Sequence, residues 1–195
     1  MRGHLAWVTG DIGSMAALSN AAAEMATAVG TRAMAIQQGG RALAIMGDKD
    51  GALHAIGEAE QALTGGKSGD DPDSLYFYGP ELLTRQRGII LTYLADSLTA
   101  YLRAANTILD ALAALPSAVR DSEWVASYRV RAAAAFAASG EPDAASAELR
   151  RAHAIASVTG GSKTLGEIAR VHARIAAKWP TNPWVVEATE QITER

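Results

Sequence analysis

The 195-residue sequence predicts an all-α fold of stacked antiparallel helix pairs. Three observations carry this. A spacing recurs along the chain: a small residue, a large apolar residue three later, a small residue seven later, alanine twelve later and an apolar residue sixteen later. Alanine and leucine, strong helix formers, dominate, and strand-like alternation of β-branched residues is nearly missing. Glycine-acidic punctuation cuts the chain at helical lengths. A helix pair cannot bury its apolar face alone, so a repeat of this kind implies stacking.

One copy of the spacing runs Gly40, Leu43, Gly47, Ala52, Ile56 and Ala59. A second runs Gly88, Leu91, Ala95, Ala100, Ala104 and Thr107, and a third Ala133, Phe136, Gly140, Ala145, Leu149 and Ala152. A degenerate copy keeps Gly3, Ala6 and Gly10. Gly40 and Gly88 fall inside helical patterns, where glycine costs about 1 kcal/mol relative to alanine. Close approach of a partner helix explains them, with Ala52, Ala100 and Ala145 as the matching small surface. Leu43, Leu91 and Phe136 then fill the groove between the helices.

The expected helices are 2–9, 14–28, 32–46, 50–64, 81–95, 97–114, 122–138, 142–158, 163–179 and 183–193. Gly10-Asp11, Gly47-Asp48, Ala95-Asp96 and Gly140-Glu141 each close one helix and open the next. Pro142 suits the first turn of its helix, Pro116 follows a helix end at Leu115, and Pro183 starts the last helix. The reading is one domain, 1–195, with pairs at about 1–28, 32–64, 81–114 and 122–158 and capping helices over 163–193. Residues 65–75 form a flexible loop, acidic over Asp70-Asp71-Pro72-Asp73. The first pair is short, which leaves Leu5, Trp7 and Val8 with incomplete cover. The expectation is a chain that continues upstream or an excised domain, with a short cap as the plainer alternative.

Composition narrows the classes. Hydrophobic residues make up 49% and charged residues 20%, ordinary for a globular chain. A net charge of −3 gives no broad attraction to nucleic acid or anionic membrane. Cysteine is absent, which removes disulfide stapling and cysteine metal sites and is compatible with the cytoplasm. No uncharged apolar run approaches the ~18 residues of a membrane span.

The repeats over roughly 3–158 resemble tetratricopeptide repeats, although the usual bulky residue near each repeat start and the regular terminal proline are mostly missing. The segment Tyr76-Phe77-Tyr78-Gly79-Pro80-Glu81-Leu82-Leu83 is similar to the aromatic lead-in of a repeat in actinobacterial helix-turn-helix regulators of the XRE type. The tail, from Thr159-Gly160-Gly161-Ser162 through Trp179 to Val185-Val186-Glu187, is similar as well. The resemblance implies a right-handed TPR-like superhelix that serves as the sensing or interaction module of a regulator. No helix-turn-helix DNA-binding domain occurs in the sequence, so the part that grips DNA is not expected here.

Catalytic and metal patterns are weak. Gly65-Gly66-Lys67-Ser68 ends like a phosphate-binding loop, but Gln61 occupies the required glycine position and a helix precedes it. Val8-Thr9-Gly10-Asp11-Ile12-Gly13 lacks the dinucleotide spacing and reads as a turn between helices. His4, His54, His153 and His172 show no close helical pairing for a metal. Ser122, Ser139 and Ser162 sit at helix ends, where capping explains them. Glu58 with Glu60, and Glu187 with Glu190, read as solvated faces. No enzyme, cofactor or metal is expected. The basic residues Arg129, Arg131, Arg150, Arg151, Arg170, Arg174 and Lys178 have two readings. Arg170, Arg174 and Lys178 recur at four-residue steps on one helix face, which reads first as a solvated stripe and, as the sharper alternative, as a docking strip for an acidic or phosphate-bearing partner.

In the TPR-like arrangement the first helix of each pair lines a concave groove. This mapping places Met34, Gln37, Arg41, Arg85, Ile89, Tyr93 and Val130 on the inner face, joined by His4 and Trp7. Guanidinium groups there would clamp carboxylates of a peptide, protein or small effector, with Tyr93 as an apolar wall. The leading function is a cytoplasmic effector domain of a transcriptional regulator, able to homodimerise. A stand-alone scaffold is the alternative, and a carrier or enzyme on a helical-repeat frame is the remote third.

Overall fold

The structure is a computed structural model describing residues 2–66 and 69–193, with side chains from Leu5 and up to Ile192. The His4 side chain and the Lys67-Ser68 dipeptide lie outside the described residues. Ten α-helices and two short 3-10 turns are present, and no strand occurs among the described residues. Two compact units divide the chain, Met1–Leu94 and Ala95–Arg195.

The first unit holds α1 (Arg2–Val8), α2 (Ile12–Met25), α3 (Val29–Met46), α4 (Lys49–Leu63) and α5 (Pro80–Leu94). Helix α1 packs on α2, α2 on α3 and α3 on α4, and α5 packs on both α3 and α4. Its core gathers Ile36, Ala52, Ile56, Leu63, Leu83 and Ile90. Each large aliphatic side chain fully buried there contributes about 1.5–3 kcal/mol.

The second unit holds α6 (Leu98–Ala113), α7 (Glu123–Ser139), α8 (Pro142–Thr159), α9 (Ser162–Lys178) and α10 (Pro183–Thr193). Helix α7 packs on α6, α8 and α9, while α10 packs on α8 and α9. Its core runs through Val130, Phe136, Leu149, Ile168, Ile175 and Val185. The boundary at Leu94 and Ala95 falls inside the expected 81–114 pair: α5 packs with α3 and α4, and α6 packs with α7.

Local chemistry explains most helix ends. Gly47 (φ 86°) and Gly140 (φ 87°) take the left-handed conformation that closes α3 and α7. The Asp11 carboxylate accepts from the Ser14 amide and the Asp48 carboxylate from the Gly51 amide. Several capping expectations need correction. Ser97, and not Asp96, caps α6 by accepting from the Ala100 amide. Glu141 and Ser122 make no side-chain cap bond. Ser139 instead donates its hydroxyl to the Phe136 carbonyl, and Ser162 is the first residue of α9, with Gly161 at the cap position.

The small-residue logic of the repeat is visible at Gly40. A Cβ placed there would lie 2.9 Å from Ala55 Cβ and 3.4 Å from the Ala52 carbonyl oxygen, so α3 and α4 meet too closely for any side chain. In the second unit Ala133, Phe136, Ala145, Leu149 and Ala152 are all buried in one cluster.

The acidic stretch expected as flexible loop carries an anchor. The Asp71 carboxylate accepts from the amides of Gly30 and Thr31, each at 2.8 Å, at the start of α3. Ala28 at the α3 cap position has no side-chain acceptor, so Asp71 satisfies two orphan amides from forty residues away. Within the aromatic lead-in, Tyr78 is fully buried. Tyr76 and Phe77 are exposed and stack edge to face, with centroids 5.6 Å apart.

Candidate functional site

The expected groove residues fall into both units. In the first, Gln37, Arg41, Arg85 and Ile89 are buried, Met34 is half-buried and Tyr93 is exposed. Gln37 Nε2 donates to Gln86 Oε1 at 3.4 Å, which bridges α3 and α5. The Arg41 guanidinium lies 4.4 Å from the Trp7 ring centroid, a cation–π contact, and donates to Gln38 Oε1 at 2.6 Å. Trp7 of α1 thereby contacts Arg41 of α3. Gln37, Arg41, Arg85 and Ile89 are thus largely withdrawn from solvent, while Tyr93 is open to it.

Val130 lies in the second unit, buried at the floor of a groove between α7 and α9. This part of the groove has a volume of about 560 Å³ and is walled by Arg131, Arg170, Arg174 and Glu167 over Val130, Ala134 and Val171. It continues past Ala134, Val171 and Arg174 into a second depression of about 220 Å³ floored by Ala137, Ala138 and Ile175. Lys178 and Trp179 close that end, with Lys178 Nζ 4.3 Å from the Trp179 ring centroid. The alanines of α7 keep the floor shallow. The four-residue steps of α9 place Arg170, Arg174 and Lys178 along one wall, spanning about 12 Å.

The predicted basic cluster is thereby sorted into two sets. Glu148, almost fully buried on α8, pairs with Arg129 at 2.6 Å and with Arg151. Arg150 pairs with Glu187 at 2.8 Å and donates to Gln191 at 2.7 Å. Glu148 is the buried member of these pairs, whereas the Glu187 side chain, though paired, stays 45% exposed. Arg131, Arg170, Arg174 and Lys178 form the other set, around the groove. Sequence reasoning had the strip but not Glu148, and only contacts between helices separate the two sets.

His172, on α9, is buried, and its Nε2 lies 3.1 Å from the Thr189 hydroxyl of α10. Burial pushes its pKa below the ordinary histidine range, opposed by a hydrogen bond to the Val185 backbone. Its part is to fasten α10 to α9. Burial also drives the Tyr78 phenol above its ordinary range, and its Oη has no hydrogen-bond partner among the described residues. Among those residues no group of three or more His, Asp or Glu side chains is placed to hold a metal. None of their helices is long and apolar enough to cross a membrane. No protein-family model, curated protein or solved structure matches this chain.

Proposed function

We propose that this chain is a helical-repeat interaction module whose binding surface is the α7–α9 groove. The observation that carries the reading is the composition of that groove: a basic wall of Arg170, Arg174 and Lys178 facing Arg131 across an apolar floor. Such a surface combines apolar contact with charge-directed orientation, the usual means of holding a polypeptide segment. A photo-crosslinking amino acid at Ala138, on the groove floor, is expected to capture a partner in the native host, while the same group at exposed Gly57 is not. Equal capture at both positions would refute the assignment.

The TPR-like right-handed superhelix rests on the recurring small-residue spacing over about 3–158, and the role of a regulator's effector domain on the aromatic lead-in at Tyr76-Phe77-Tyr78 and the tail around Trp179. On that reading the native chain carries an upstream helix-turn-helix domain, and groove occupancy biases its state. The intact mass of the native protein tests this. A chain several kilodaltons heavier with that domain supports the regulator; a chain without it leaves a stand-alone adaptor.

A further inference from the structure

We infer that the occupant of the α7–α9 groove is an acidic amphipathic helix from a partner protein; this rests on the interaction reading above. Charge is the first reason. Arg131, Arg170, Arg174 and Lys178 outnumber the single wall carboxylate, Glu167, in a chain whose net charge is −3. The positive field is therefore local to this groove and is not a property of the whole surface. Spacing is the second. Cations at four-residue steps repeat about every 6 Å along α9, the same step as carboxylates four apart on a facing helix. Depth is the third. Ala134, Ala137 and Ala138 provide a floor shallow enough for a helix to lie on, and Trp179 offers a large apolar contact at one end.

Nucleic acid fits less well. Its phosphates would meet Glu167, and the alanine floor gives its bases no stacking platform apart from Trp179. A carboxylate-bearing helix places apolar side chains on that floor and charge only at the wall.

The test is fluorescence anisotropy with the full chain and a fluorescein-labelled helical peptide carrying glutamate at every fourth position on a leucine–alanine background. The matched lysine peptide and single-stranded oligothymidylate are the controls. The glutamate peptide is expected to bind in the micromolar range and to weaken as salt is raised. Arg174→Glu and Ala138→Trp are each expected to weaken it about tenfold or more. Arg103→Glu, the same charge change on an exposed residue of α6, should leave it within about twofold. Circular dichroism of each variant confirms that the helices are retained. Equal binding of the lysine peptide, displacement by oligothymidylate, or equal effects of Arg174→Glu and Arg103→Glu would overturn the inference. Crosslinking at Ala138 separates the two levels. Capture of a partner through a non-acidic segment sinks the acidic helix and keeps the interaction module. No selective capture together with no peptide binding sinks both.

Discussion

Replacing Gly40 by alanine sets two known effects against each other. Alanine in place of a mid-helix glycine stabilises by about 1 kcal/mol through backbone entropy. At Gly40, however, the new Cβ would lie 2.9 Å from Ala55 Cβ, a short stub that cannot swing aside. Overpacking of this kind costs about 1–3 kcal/mol. The net expectation for Gly40→Ala is a loss between zero and about 2 kcal/mol. Gly57, on α4, is exposed, and a methyl group added there would meet nothing within 4 Å, so Gly57→Ala should gain the full ~1 kcal/mol. Urea unfolding followed by circular dichroism reads both. A double variant, Gly40→Ala with Ala55→Gly, should recover part of the loss, because the contact is relieved from the other side. If Gly40→Ala stabilises as much as Gly57→Ala, the close-approach account of the repeat is wrong.

Other outcomes follow from the same contacts. Asp71→Ala removes the acceptor of two α3 amides and is expected to cost about 1 kcal/mol by urea unfolding, with Asp71→Asn costing less; no loss in either would contradict the anchor. Tyr78→Phe deletes a buried hydroxyl with no partner among the described residues, and should leave stability unchanged or raised by about 1 kcal/mol; a clear loss would reveal a partner for that oxygen. The His172 pKa is held below its unfolded value, so its contribution is fully present above about pH 6.5 and is lost as pH falls through the lower folded pKa. The stability gap between the native chain and His172→Gln should therefore shrink or reverse on acidification, and NMR titration of the ring should give a midpoint below that of free histidine.

Much of the helix layout was legible because its causes are local. A left-handed glycine at Gly47 or Gly140 and an aspartate at Asp11 or Asp48 act within a few residues of the break they make. The Gly40–Ala52 contact was readable for the same reason, since the two helices are joined by a tight turn. Asp71 was not readable as a cap, because the amides it serves are distant in sequence and the stretch around it has loop composition. The groove was half legible. Four-residue spacing puts Arg170, Arg174 and Lys178 on one face, but only the packing of α9 back onto α7 supplies the floor. Glu148 stands just ahead of Arg150 and Arg151 on α8, and nothing in its spacing says that it is buried between Arg129 and Arg151. Repeat spacing along α3 and α5 puts Gln37, Arg41, Arg85 and Ile89 on the expected inner face. Spacing alone does not distinguish a side chain that faces a ligand from one that faces a neighbouring helix, and these four are buried.

An amide chemical-shift titration of the full chain with the glutamate peptide locates the binding surface. Shifts are expected to concentrate in Glu123–Ser139 and Ser162–Lys178, largest near Ala134, Ala138, Val171 and Arg174. Shifts concentrated in Val29–Met46 and Pro80–Leu94, around Arg41, Arg85 and Tyr93, would contradict the α7–α9 assignment and return the binding site to the first unit.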